Sequence, residues 1–209
     1  MATAVKSIEL QAVEARYHDV DHVYGETRDI RLLGFVFFLL ADCLLFSSFI
    51  FSYIYLRTSA PAWPPFLDGK QLPWFDTSFA AMNSIVLFGS GVTMHFALES
   101  WKNLNKRMFN MWLVATIVLG IGFLLGQAHE YSSVGITWQG TTMGASFFTL
   151  TGMHGLHVFI GVVYLIILGL QANRGVYTGS KYFGLTAGTL YWHFVDVIWV
   201  ALFFLFYLW

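Results

Sequence analysis

Met143-Gly-Ala-Ser-Phe-Phe-Thr-Leu-Thr-Gly-Met-His154-Gly-Leu-His157-Val-Phe-Ile-Gly-Val-Val-Tyr-Leu-Ile-Ile-Leu-Gly-Leu-Gln171 runs its whole length without an Asp, Glu, Lys or Arg. An α-helix of about 20 such residues crosses the roughly 30 Å hydrocarbon core of a bilayer. Four further stretches are long enough and mostly apolar: Leu32 to Leu56, Thr77 to Leu98, Met108 to Ala128, and Leu185 to Trp209. Backbone amides in hydrocarbon must bond within their own segment, so each stretch is expected to be helical. The expected fold is an all-α membrane protein, with five transmembrane helices in residues 31–209 behind a polar N-terminal tail, residues 1–30.

Composition points the same way. Charged residues make up 11% of the chain and apolar residues 57%, where soluble domains carry about 25% charged residues. So few charges cannot cover a water-facing surface. Aromatics reach 19%, and Trp and Tyr suit the two membrane interfaces. A net charge of −1 gives no case for nucleic acid or an acidic substrate. Cys43, the single cysteine, allows neither an internal disulfide nor a cysteine metal cluster, and is expected to be a small buried hydrophobe. The first thirty residues lack the apolar core of a cleaved signal peptide. They are polar and nearly charge-balanced. Disorder, or ordering only against a partner, is expected there, with a short surface helix as the alternative.

Helix breakers mark the first loop: Pro61, Pro64, Pro65, Gly69 and Pro73. Later loops hold Trp101 to Arg107, Glu130 to Gly140, and Asn173 to Lys181. Lys6, Arg16, Arg28, Arg31, Lys102, Lys106, Arg107, Arg174 and Lys181 fall on one side of the alternating spans, against Arg57 and Lys70 on the other. That bias predicts a cytoplasmic N-terminus and an outward Trp209. No internal repeat is visible, and the glycines of the second to fourth spans read as helix-packing positions.

Polar groups in hydrocarbon are costly and turn toward protein or water. His154 and His157 share one helix face, as do His193 and Asp196. With Glu130 at the end of the third span they are expected to form a structural polar cluster that glues helices together. A metal site or proton relay is the competing use of the same residues. Asp42 has Leu39, Leu40, Ala41, Cys43 and Leu44 beside it and no cation within a turn. Desolvation by such neighbours favours the neutral acid. Asp42 therefore reads as a proton-linked or regulatory carboxyl, or as a protonated acid bonded to another helix or a lipid.

Two strings, Phe147 to Val158 and Tyr191-Trp192-His193-Phe194-Val195-Asp196-Val197-Ile198-Trp199, closely resemble subunit III of the haem-copper respiratory oxidases. Trp63-Pro64-Pro65, Ser90-Gly91-Val92 and Gly126-Gln127-Ala128-His129-Glu130-Tyr131 agree in order. The resemblance runs from about Arg31 to the end and matches the short five-helix bacterial form. It implies helices in two groups around a V-shaped, lipid-filled cleft, with bound phospholipid. It also implies a subunit without metal of its own, packed on the catalytic subunit I, which carries haems and copper with the other subunits. In that family the subunit supports proton uptake and guards against inactivation during turnover. Asp42 falls where the family usually has a buried, carbodiimide-reactive glutamate. Asp42-Cys43-Leu44-Leu45-Phe46 is closer to quinol oxidases, whereas Trp63-Pro64-Pro65 and Gly126 to Tyr131 look like cytochrome c oxidases. Cytochrome c is the expected donor, with quinol as the alternative. A small transporter or channel is the alternative from another class, but the repeat symmetry usual there is not seen.

Overall fold

A computed structural model describes residues 2–67, 70–71, 75–136, 138–139, 141–177 and 182–209, and for 2–29, 67, 70 and 71 the backbone alone. Five α-helices dominate: α1 (Ala2–Ser59), α2 (Thr77–Lys102), α3 (Lys106–Ser133), α4 (Thr142–Asn173) and α5 (Phe183–Phe203). A wider π-helical turn, Phe204–Leu208, continues α5. Between α1 and α2 a short antiparallel pairing joins β1 (Phe66–Leu67) to β2 (Lys70–Gln71). Five spans are long and apolar enough to cross a membrane: Ile30–Ser59, Thr77–Lys102, Lys106–Ser133, Thr142–Asn173 and Phe183–Leu208.

Most helices outrun their apolar stretches because polar caps set their ends. Asp76 Oδ1 accepts from the Ser78 amide at 2.9 Å and starts α2. Asn105 Oδ1 accepts from Met108 at 3.1 Å and starts α3. Thr141 Oγ1 accepts from Gly144 at 3.1 Å and starts α4. Each cap satisfies an amide that the first turn leaves orphaned. At the end of α4, Gly175 takes a φ of 76°. The amide of Val176 then reaches back to the Gln171 carbonyl at 3.1 Å, the closing bond of a Schellman cap.

The chain divides into two units, Met1–Leu40 and Ala41–Trp209. In the first, the helix extends back to Ala2, where the sequence pointed to a disordered arm. Residues 2–24 contain neither Gly nor Pro and include four Ala, so nothing breaks a helix there.

In the second unit, α2 to α5 form a bundle stitched by hydrogen bonds between neighbours. Asn83 Nδ2 donates to the Phe123 carbonyl at 3.2 Å, joining α2 to α3. Gln127 Nε2 donates to the Thr151 carbonyl at 2.7 Å, joining α3 to α4. Tyr191 donates to the His157 carbonyl at 3.1 Å, joining α5 to α4. Trp199 Nε1 donates to Ser84 Oγ at 2.8 Å and returns α5 to α2. Such bonds contribute about 0.6 to 2 kcal/mol each between helices in lipid.

Trp192 lies at the centre of this bundle and is fully buried. Its indole donates to Ser90 Oγ of α2 at 2.9 Å. A Cβ on Gly120 of α3 would stand 2.8 Å from the ring, and one on Gly161 of α4 would stand 2.9 Å from it. Those two positions must be glycine for the indole to lie between three helices. Residues 41–59 of α1 meet the bundle along one stripe: Asp42, Phe46, Tyr53 and Arg57. Cys43, expected to be buried, is exposed, because it lies about 70° around the helix from the middle of that stripe.

Candidate functional site

The sequence pairs His154 with His157 and His193 with Asp196, and the helices set each pair on adjacent turns as expected. They do not merge the pairs. Among the described residues no hydrogen bond joins His154 or His157 to His193 or Asp196, and Glu130 lies with neither pair. The polar cluster is instead distributed over four places. The reason is the rotation of α5, which turns Tyr191, Trp192 and Trp199 into the bundle and leaves His193 and Asp196 facing α2.

His157 meets α1. Its Nε2 lies 3.9 Å from Asp42 Oδ2, and each side chain is 16% exposed. Asp42, which has no cation within a turn of it on its own helix, thus finds a histidine on α4. Phe46, one turn along α1, packs edge-on against the imidazole with centroids 5.0 Å apart. His157 Nδ1 lies 2.8 Å from the Met153 carbonyl. A carbonyl only accepts, so Nδ1 carries a hydrogen in either charge state. Nε2 is then the atom that gains or loses a proton, and it is the atom facing the carboxyl. The 3.9 Å separation is too long for a direct hydrogen bond, so a bond between the two side chains needs a small approach or a bridging water.

His154 is fully buried and stacks on Trp199, with centroids 5.0 Å apart and planes 29° apart. Phe123 meets the imidazole edge-on at 5.8 Å. Neither nitrogen has a hydrogen-bond partner among the described residues. His193 Nδ1 lies 3.6 Å from Asp196 Oδ2 on the α2 side of α5. Glu130, 5% exposed, accepts from the Tyr207 hydroxyl at 2.6 Å. Among the described residues no three His, Cys, Asp or Glu side chains converge as they would to hold a metal ion.

Two contacts had no sequence signal. Tyr207 is remote from Glu130 in the chain, and nothing in the local pattern links them. Arg57 counts in the sequence only as a charge, yet it donates to the Trp209 carbonyl and lies 4.2 Å from the centre of the Trp209 ring.

The family model of cytochrome c oxidase subunit III matches residues 6–209. The chain is 35% identical to cytochrome c oxidase subunit 3 of Thermostichus vulcanus, over 90% of this chain and 92% of that one. It is 35% identical to the Synechocystis sp. protein of the same name, over 86% of this chain and 76% of that one. Against the Drosophila melanogaster protein the identity is 32%, over 90% and 72%. A match over nearly the whole length, together with five membrane spans, supports one assignment: the chain belongs to the cytochrome c oxidase subunit III family.

Proposed function

We propose that this chain is the subunit III of a proton-pumping terminal oxidase that takes electrons from cytochrome c and reduces oxygen to water. In this reading it binds no haem or copper and packs on subunit I. It supports proton uptake there and protects that subunit during turnover. The membrane is the bacterial cell membrane, with the N-terminus cytoplasmic and the C-terminus outside. Bound phospholipid belongs to the same proposal. Leu44, Phe51 and Tyr55 of α1 are exposed apolar surface that a lipid-filled cleft of the kind the family resemblance implies would cover.

The observation that carries the reading is the Asp42–His157 pair. In this reading Asp42 is a proton-linked or regulatory carboxyl and not an obligatory relay. Asp42→Asn keeps the shape and a hydrogen-bond donor but cannot titrate. In the intact complex it is expected to assemble and to start turnover and pumping at nearly the parent rate. During sustained turnover it should lose activity sooner, and more so at high pH, where protons are scarce. Asp42→Ala should do worse, because it also removes the polar side chain that faces His157. Oxygen consumption over many turnovers at two pH values reads these outcomes. Loss of initial activity at both pH values in the Asn variant would instead make Asp42 part of the proton path.

Asp42-Cys43-Leu44-Leu45-Phe46 favours quinol as the second reading for the donor. Comparing oxidation of reduced cytochrome c with that of quinol by the purified complex separates the two.

A further inference from the structure

A shallow recess of about 270 Å³ opens on the α2–α5 seam, lined by Phe88, Gly91, Val92, His95, His193 and Asp196. Its depth comes from Gly91: a Cβ there would stand 2.2 Å from Asp196 Oδ2, so α2 can carry no side chain at that point. The lining is polar where a lipid-facing surface should not be. The His193 side chain is 42% exposed, and its 3.6 Å approach to Asp196 is too long for a hydrogen bond. Asp196 Oδ1 is enclosed with no donor among the described residues. His95 is exposed at the rim.

Depth decides what the recess can receive. Gly91 lies about 16 Å along α2 from Lys102, and His193 about 15 Å along α5 from Phe183, by helical rise. Both are therefore near the middle of a bilayer core about 30 Å thick, beyond the reach of lipid headgroups. Acyl chains at that depth offer an imidazole nothing, and polar groups so placed face protein or water. The apolar flank suits a helix. Ile85, Phe88, Val92 and His95 follow at intervals of three and four, so they form one ridge along α2, and all are exposed. That spacing is the seam on which a second helix packs.

We infer that this recess receives a hydrogen-bonding side chain from a transmembrane helix of a second oxidase subunit, so that the α2–α5 face is a subunit-docking surface. A ring nitrogen of an imidazole forms hydrogen bonds, and the incoming side chain supplies the partner that Asp196, at 3.6 Å, does not. Gly91 and His193 thereby act in assembly, apart from the Asp42–His157 pair. The inference rests on the chain working within an oxidase complex.

The test uses the whole complex. A photo-crosslinking amino acid is placed at Val92, on the rim, or at Val163, an exposed position on α4. After illumination in the native membrane, the adducts are identified by mass spectrometry. Val92 should capture another oxidase subunit in several-fold greater yield than Val163. Adducts from Val92 only to lipid or to a second copy of this chain overturn the inference, as do equal yields or none at Val92. Co-purification of haem-bearing subunits with the unaltered chain tests the family role separately, so the two can fail independently. Two variants then test the hydrogen bond. His193→Leu should let the subunit wash out of the detergent-solubilised complex, and His193→Gln should retain it. Parent-like retention of the Leu variant overturns the hydrogen-bonded docking.

Discussion

His154 is held by its faces. Trp199 stacks on it, Phe123 meets its edge, and its nitrogens bond to nothing among the described residues. A buried polar group without a partner is a cost, whereas ring packing is a gain. His154→Phe should therefore fold at least as stably as the parent. His154→Ala removes the ring and leaves a void, and should lose about 3–5 kcal/mol by analogy with large-to-small aromatic changes. Thermal unfolding of the detergent-solubilised chain compares them. A Phe variant that falls as far as the Ala variant would show that a water or a partner group satisfies the imidazole. At this scale the sequence was only partly legible. Asp42 stands out among apolar neighbours, and His193 lies 3.6 Å from Asp196, its neighbour at three-residue spacing. The partner that gives Asp42 meaning is His157, on another helix, and no local pattern encodes which helix faces which. Trp199 intervenes beside His154 for the same reason.

Helices were the legible level. A run of about 20 apolar residues seldom occurs outside a membrane span, so all five spans can be read from hydropathy. Their ends cannot, since capping residues are polar and lie beyond the apolar run. The turn from α2 to α3 carries an unusual choice. Leu104 has a φ of 57°, in the left-handed region, and its side chain is 80% exposed. Gly175 ends α4 in a similar conformation without a Cβ penalty. A leucine in that region costs about 1–2 kcal/mol, partly offset because glycine has more unfolded-state freedom to lose. Leu104→Gly should raise stability by up to about 1 kcal/mol, and Leu104→Val should lower it, since a β-branched residue fits that region worse. Paired melting curves of the two variants check the sign. If the Gly variant melts lower, the unfolded-state freedom of glycine outweighs the relief of the left-handed backbone.

For the molecule as a whole, the family could be read because two long strings in α4 and α5 are specific. The polar residues those strings carry could not be assigned to places without the rotation of α5. Charge bias adds a topology: nine Lys and Arg on one side of the alternating spans against two on the other. A cysteine introduced near Trp209, in a Cys43→Ser background, should react with an impermeant thiol reagent from outside the cell. Reaction only from the cytoplasmic side would invert the topology. The placement of Trp192 also has a consequence for biosynthesis. The fifth helix leaves the ribosome after the other four, yet it supplies the indole that lies against Gly120 and Gly161 and bonds Ser90. Until it inserts, α2, α3 and α4 face one another across an unfilled notch. A nascent chain stalled before Trp192 would span the membrane four times and still lack its keystone, exposing an unfinished seam to the proteases that clear orphaned membrane subunits.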